Sequence, residues 1–337
     1  MKGRIFAAAV MMTVAATTAR AQVTGCPAAS ADPAQNAVRD ACIVGGDVFQ
    51  LLGPQLGLVI AGGNATLGQG GTLGGFPHFV VSVRGNILAG DIPDFGDASY
   101  TPRTDGSATP RTLKTDGQIV GMPVIDAAIG VFKGIPLGLT NVGGVDLLVS
   151  AAYVPRIGGG NDDFQIDPEN PLQLGFGARV GLLQESLLSP GVAVTFIRRD
   201  LPTTDIFGRS SALDLNIRET SIKTNSWRVV ANKNLLMFGL AAGVGQDRYD
   251  LGADLSGVVH GAGVLGTDVP FGTFGLRHKM TRTNMFADLS MNLPFIKFVG
   301  EIGRASGGDV AGVFNSFSGA EVDEARVYGS FGVRIGL

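Results

Sequence analysis

The stretch DEARVYGSFGVRIGL, residues 323–337, decides the fold. Taken alternately, Ala325, Val327, Gly329, Phe331, Val333, Ile335 and Leu337 form one unbroken apolar row. Glu324, Arg326, Tyr328, Ser330, Gly332, Arg334 and Gly336 form the other. A period of two marks a β-strand with one apolar and one polar face. In a soluble sheet the apolar face meets a core. In a closed transmembrane barrel it meets lipid, and polar residues turn inward because hydrocarbon satisfies no hydrogen bonds.

Composition favours lipid. Only 16% of the 337 residues are charged, mean hydropathy is +0.26, and 51 are glycine. That glycine content is about double ordinary usage. The net charge of −3 is small and unclustered, so no nucleic-acid partner is expected. The chain opens with Lys2 and Arg4, an apolar run from Ile5 to Ala16, and Ala19-Arg20-Ala21. This predicts a secretory signal peptide over residues 1–21, cleaved after Ala21 and too short to span a membrane. The two cysteines, Cys26 and Cys42, then face an oxidising compartment, and a disulfide is the leading reading. A competing reading lipidates Cys26, because Val23-Thr24-Gly25-Cys26 has the form of a lipoprotein box; Arg20 separates that box from the apolar run.

Alternation like that of the last strand recurs upstream. Phe79, Val81 and Val83 begin a first strand near 78–90, and others follow near 120–133 and 145–153. The clearest is the fourth, with Leu172, Leu174, Phe176, Ala178, Val180 and Leu182 against Gln173, Gly175, Gly177, Arg179 and Gly181. Further strands are read at 192–196, 211–231, 235–244, 284–292 and 296–301. The count is ten, or twelve if the sixth or eighth segment splits. Connections near 134–144, 185–190, 232–234 and 292–295 are short. Those near 91–118, 158–171, 201–210, 250–270 and 306–322 are longer, and the two kinds alternate. Strands of about 10–14 residues suit a tilted crossing, and an even count places both termini on the short-turn side. The predicted fold is an all-β, closed antiparallel up-and-down transmembrane barrel over residues 78–337.

Residues 22–77 read differently. Asp32-Pro33 is a helix start, followed by a second helical piece from Val48 that breaks at Gly53-Pro54 and resumes toward Ile60. Residues 62–75 are glycine-rich. A phosphate-binding loop is rejected, because no strand precedes it, no Lys lies in it and no helix follows. A flexible or tightly turning segment packed against backbone is expected, which with the helical pieces folds into or under the lumen as a plug.

Chemical motifs are sparse. His78, His260 and His278 are scattered, and no metal or nucleophile signature occurs, so no catalytic residue, metal or cofactor is expected. Asp163, Asp167 and Glu169, with Asn161-Asp162, form an acidic loop lacking calcium-binding spacing. The informative charges are those expected to face the lumen: Arg84, Arg179, Asp214, Arg218, Asp288, Lys297, Glu301, Arg326 and Arg334. Mixed signs in a narrow interior should pair.

The last strand resembles the C-terminal strand of Gram-negative outer-membrane barrels, whose alternate apolar residues are read by the barrel assembly machinery. Phe331, Val333, Ile335 and Leu337 occupy that row, with Leu337 where those barrels end in Phe or Trp. Leu-Leu-Gly-Pro at 51–54, Gly62-Gly63-Asn64 and Phe76-Pro77-His78-Phe79 resemble the opening of one uncharacterised family of such barrels. More distantly, the plan is similar to the fatty-acid and hydrocarbon channels of the outer membrane. These resemblances imply an outer-membrane location, lipid and the assembly machinery as partners, and a narrow plugged channel or binding protein for a small hydrophobic solute. A non-conducting surface barrel and a secreted soluble β-protein are the alternatives.

Overall fold

Ten strands pair into one ring in the computed structural model, which describes residues 25–336 apart from 96–100, 108–109, 139, 159–162, 262–265, 309 and 311–314. The signal segment, Asn161, Asp162 and Leu337 lie outside the described residues. The strands are β1 (Phe79–Pro93), β2 (Thr115–Phe132), β3 (Val145–Tyr153), β4 (Leu172–Leu183) and β5 (Gly191–Asp200). They continue as β6 (Leu213–Leu235), β7 (Phe238–Val259), β8 (Val269–Asn292), β9 (Ile296–Ala305) and β10 (Arg326–Gly336). Each runs antiparallel to the next, and β10 pairs back onto β1 from Val80↔Gly336 to Leu88↔Tyr328, closing an up-and-down barrel. Around the ring, closure gives every strand a partner on both sides over the shared height of the wall.

The outer wall carries an apolar band. Phe79, Val83, Leu147, Phe176, Phe196, Leu240, Met285, Leu289 and Phe331 are all exposed there. One row of the sheet, Val194, Val229, Val244 and Met285, lies near the long-loop edge of this band on adjacent strands. The next row toward the long loops is Phe196, Trp227, Gln246 and Thr283, and beyond it outward residues are mostly polar. The single Trp therefore lies where apolar wall gives way to polar wall, as interfacial aromatics do.

Three strands outrun the expected lengths by the widest margin: β6, β7 and β8 have 23, 22 and 24 residues. At about 3.3 Å per residue they reach far past a band roughly 25 Å tall. Much of the expected loop 250–270 is therefore strand. Beyond the band the face code inverts. Leu251, Ala253, Leu255, Val259, Phe271 and Leu276 point inward, and Asp250, Asp254, Arg277 and Lys279 point outward. Here the apolar side chains pack on protein inside the wall. The short strands Phe164–Pro168 and Thr204–Arg209 extend this upper wall beside β6, where β5 has ended. The reversal expected at 232–234 instead occurs at Leu236-Met237, with Leu236 at φ 54.

The inverted wall packs on one helix, α1 (Pro33–Ala61), of 29 residues. Asp32 caps it, accepting from Ala34 N at 2.9 Å, and Pro33 occupies the first turn. The break expected at Gly53-Pro54 does not occur; the helix runs through Pro54 inside an enclosing wall. At 1.5 Å per residue α1 is about 43 Å long. Its N-terminal end meets the β1–β2 loop, where Asn36 Nδ2 donates to Thr104 O at 2.9 Å and Asp40 pairs with Arg111 at 2.7 Å. Its C-terminal end reaches mid-barrel, and residues 62–75 continue to Lys133 at the short-turn rim. Although β1 begins and β10 ends at the short-turn side as the even count requires, Cys26 and the helix start lie at the opposite, long-loop end. The chain threads the whole lumen before its first strand.

Candidate functional site: the filled lumen

Helix C-termini leave carbonyls without intrahelical donors. Here the barrel wall supplies the donors. Asn86 Nδ2 donates to Val59 O (3.0 Å), Arg199 Nη1 to Ala61 O (2.8 Å), Arg228 Nη2 to Gly62 O and Nε to Gly63 O (both 3.1 Å), and Arg84 Nη1 to Asn64 O (2.7 Å). The three arginines also match the negative end of the helix dipole. Each is buried beside a carboxylate: Arg84 pairs with Asp126 at 2.9 Å, Arg228 with Asp247 at 2.7 Å, and Arg199 approaches Asp126 at 3.5 Å.

The glycine-rich segment is then held step by step. Asn64 N donates to Glu301 Oε2 (2.7 Å) and Asn64 Nδ2 to Asp288 Oδ2 (2.8 Å). Arg334 Nη1 donates to Leu67 O (3.0 Å), and Gly68 N to Asp288 Oδ2 (2.9 Å). Gly70 N donates to Asn232 Oδ1 (3.1 Å), and Leu73 N to both oxygens of Asp146 (3.1 Å), which also pairs with Arg179 at 2.7 Å. Glycine at position 70 is a packing requirement: a Cβ would lie 2.6 Å from Ala231 C, inside the wall's backbone. Asp288 and Glu301 are direct cross-strand partners, so two carboxylates share the surroundings of Asn64.

Of the charges expected in the lumen, Arg84, Arg179, Asp288, Glu301 and Arg334 are buried there and contact residues 62–75 or their holders. Lys297 faces inward near the short-turn rim and donates to Asn234 Oδ1 at 3.2 Å. Arg326 faces inward at the loop end, paired with Asp91 and, at 2.8 Å, with Glu324. Asp214 and Arg218 do not face the lumen. A bulge between Arg218 and Ser221, with Glu219 at φ 52, reverses the parity of β6. Leu213, Leu215 and Ile217 therefore point in, Asp214 meets His260 at 3.4 Å, and Arg218 lies over the Phe207 ring. Phe331 and Ile335 face outward, with Val333 in the same row. The sequence reading omitted Asp126, Asp146, Arg199, Arg228 and Asp247; each lies on the inward parity of its strand.

At the loop end, Cys26 and Cys42 form a disulfide. Asp47 on the helix accepts from Asn315 N (2.7 Å) and Nδ2 (2.8 Å). Beside the helix opens a cavity of about 370 Å³, lined by Val44, Val48, Phe95 and Leu213 together with Asp94, Arg103 and Lys114.

No protein-family model and no curated protein sequence matches this chain. Among solved structures it is similar to an anion-selective porin from Comamonas acidovorans, at 10% identity and a TM-score of 0.17, over 77% of this chain and 98% of the porin. It is also similar to a Pseudomonas aeruginosa FadL homologue, at 8% identity and a TM-score of 0.23, over 77% of this chain and 89% of the homologue. The fold class rests on the strand pairing itself: a closed ten-stranded antiparallel barrel with a helix in its lumen.

Proposed function

We propose that this chain is an integral outer-membrane barrel, closed at rest by its own N-terminal segment, that admits a small, partly apolar solute from the long-loop side. The observation that carries this reading is the continuous set of wall contacts to residues 59–73, combined with a band of lipid-compatible residues outside. The cavity beside Val44 and Val48 offers such a solute a lining of apolar side chains mixed with the charged Asp94, Arg103 and Lys114. Passage requires residues 62–75 to leave the wall. Export through a signal peptide and insertion by the assembly machinery through the Phe331–Ile335 row belong to the same proposal. A second reading, a non-conducting surface barrel, is favoured by the extent of the lumen contacts.

Planar-bilayer recordings of the intact protein and of a variant lacking residues 22–75 separate the two. A closed wild type with a conducting, folded deletion variant supports the gated channel. A folded deletion variant that stays closed sinks it in favour of the surface barrel. Recovery in the soluble fraction, without a heat-dependent gel shift, would overturn both.

A further inference from the structure

The outward face just above the apolar band of β5 to β8 is not evenly polar. Successive sheet rows run Phe196, Trp227, Gln246, Thr283; then Arg198, Asn225, Arg248, Thr281; then Asp200, Lys223, Asp250, Lys279. Lys223 and Lys279 thus sit on either side of Asp250, and Arg248 lies two residues from it on the same face. Neighbours so placed stand about 5–8 Å apart. Arg277 follows two residues beyond Lys279. Arg198 pairs with Asp200 at 2.8 Å and Lys279 with Asp250 at 2.9 Å. Lys223, Arg248 and Arg277 are exposed and form no ion pair among the described residues. Five cations against two carboxylates leave the patch with net charge +3.

We propose that this patch binds the phosphorylated headgroup of an outer-leaflet lipid whose acyl chains lie on the apolar wall below Trp227. The inference rests on the membrane reading above. A solvated face would need no such placement. These cations occupy the first rows past the apolar edge, on the long-loop side, which in an outer membrane is the outer leaflet. Phosphate is matched by a cluster of Arg and Lys that can donate several charge-assisted hydrogen bonds. The continuous descent from Arg248 through Gln246 to Val244 and Leu240 provides a surface for the attached chains. That continuity selects a lipid over free phosphate.

The test uses full-length protein in mild detergent and native mass spectrometry. The probe is a bisphosphorylated glycolipid, compared with its dephosphorylated counterpart bearing the same chains. Cations near an anionic lipid surface contribute about a factor of five each, so Lys223→Ala with Arg248→Ala should weaken binding about 30-fold. Lys133→Ala, at the opposite rim, should change nothing. Asp250→Asn should tighten binding several-fold, a gain that misfolding cannot produce. Inorganic phosphate should fail to displace the lipid. Unchanged affinity in the double variant, equal binding of the dephosphorylated lipid, or displacement by inorganic phosphate would overturn the site. A heat-dependent gel shift retained in every variant shows that the barrel itself stands, whatever the lipid result.

Discussion

Replacing Arg228 by Leu tests whether the wall holds the helix end. Arg228 and Asp247 are 1% and 0% exposed and paired at 2.7 Å. The substitution leaves the Asp247 carboxylate buried with Ser226 Oγ at 2.6 Å and Asn284 Nδ2 at 3.1 Å as its remaining partners. Breaking one half of a buried pair costs about 3–5 kcal/mol. The strands stay hydrogen-bonded, so the cost should fall on retention of residues 62–75. At roughly 1.4 kcal/mol per decade, the released population rises by about two to three and a half decades. The assay is limited proteolysis of residues 62–75 beside bilayer conductance, with the gel shift as a control for the wall. Replacing both residues by Leu removes the stranded carboxylate. What remains for residues 62–75 is the loss of Arg228's donation to Gly63 O, and of one of two donors to Gly62 O, which keeps Asn284 Nδ2 at 3.3 Å; the wall also loses the donations of Arg228 Nη1 to Trp227 O and Gln246 O. The double variant should therefore lie between wild type and Arg228→Leu. Wild-type protease resistance in the single variant, or a double variant worse than the single, would refute this reasoning.

Further outcomes follow from the same geometry. Cys42→Ser opens a loop with a sequence separation of 16. By the chain-entropy account it removes about 3 kcal/mol from the N-terminal segment, seen as faster proteolysis of residues 25–42 with the gel shift unchanged. An epitope placed directly before Cys26 should be labelled on intact cells, whereas one at Leu236-Met237 should need a permeabilised outer membrane. Leu240→Arg on the lipid face should destabilise the barrel by up to about 2–4 kcal/mol in vesicle unfolding, while Asp254→Arg beyond the band should cost little. His260, past the end of β7, is pushed above its ordinary value of 6.5: burial lowers it, but hydrogen bonds with Asp268 and Asp214 and their charges outweigh that. Its stabilising contact with Asp214 and Asp268 is at full strength below pH 6.5 and is lost as pH rises through the folded value. Protease cleavage at 259–261 and 267–268 should rise over that range, and His260→Gln should abolish the pH dependence.

Alternation located all ten strands because an apolar outer band and a polar interior impose opposite demands on successive residues. It worked best where both demands act, as in β4, with Leu174 and Phe176 exposed and Gln173 and Arg179 buried. It failed on β6 to β8 beyond the band, where the environments exchange places. Setting Asp214 and Arg218 inward puts Leu213 and Leu215 outward, yet these leucines cover a helix, and a bulge of one residue is invisible to a period-two pattern. Arg199, Arg228 and Asp247 were within reach. Once Phe196, Trp227 and Gln246 are set outward, the residues beside or three beyond them must face in. What no local pattern reveals is that these groups converge on Ala61 to Gly63 from separate strands.

The glycine content makes physical sense only with wall and occupant together. A ten-stranded barrel has little spare width, and an α-helix with side chains is about 10–12 Å across. Close approach therefore has to be secured by what is missing from the helix. A Cβ at Gly45 would lie 2.7 Å from Leu255, at Gly53 2.3 Å from Leu251, and at Gly57 2.7 Å from the Tyr249 ring. Those partners alternate along the inward face of β7, so one stripe of the helix is matched to one strand. Glycine weakens an isolated helix by about 1 kcal/mol per position. Alone, α1 is a poor helix with an internal proline; inside the wall, the same glycines let it approach β7 and bring its carbonyls to the waiting arginines. The helix signal is weak at the positions where the barrel supplies the stability.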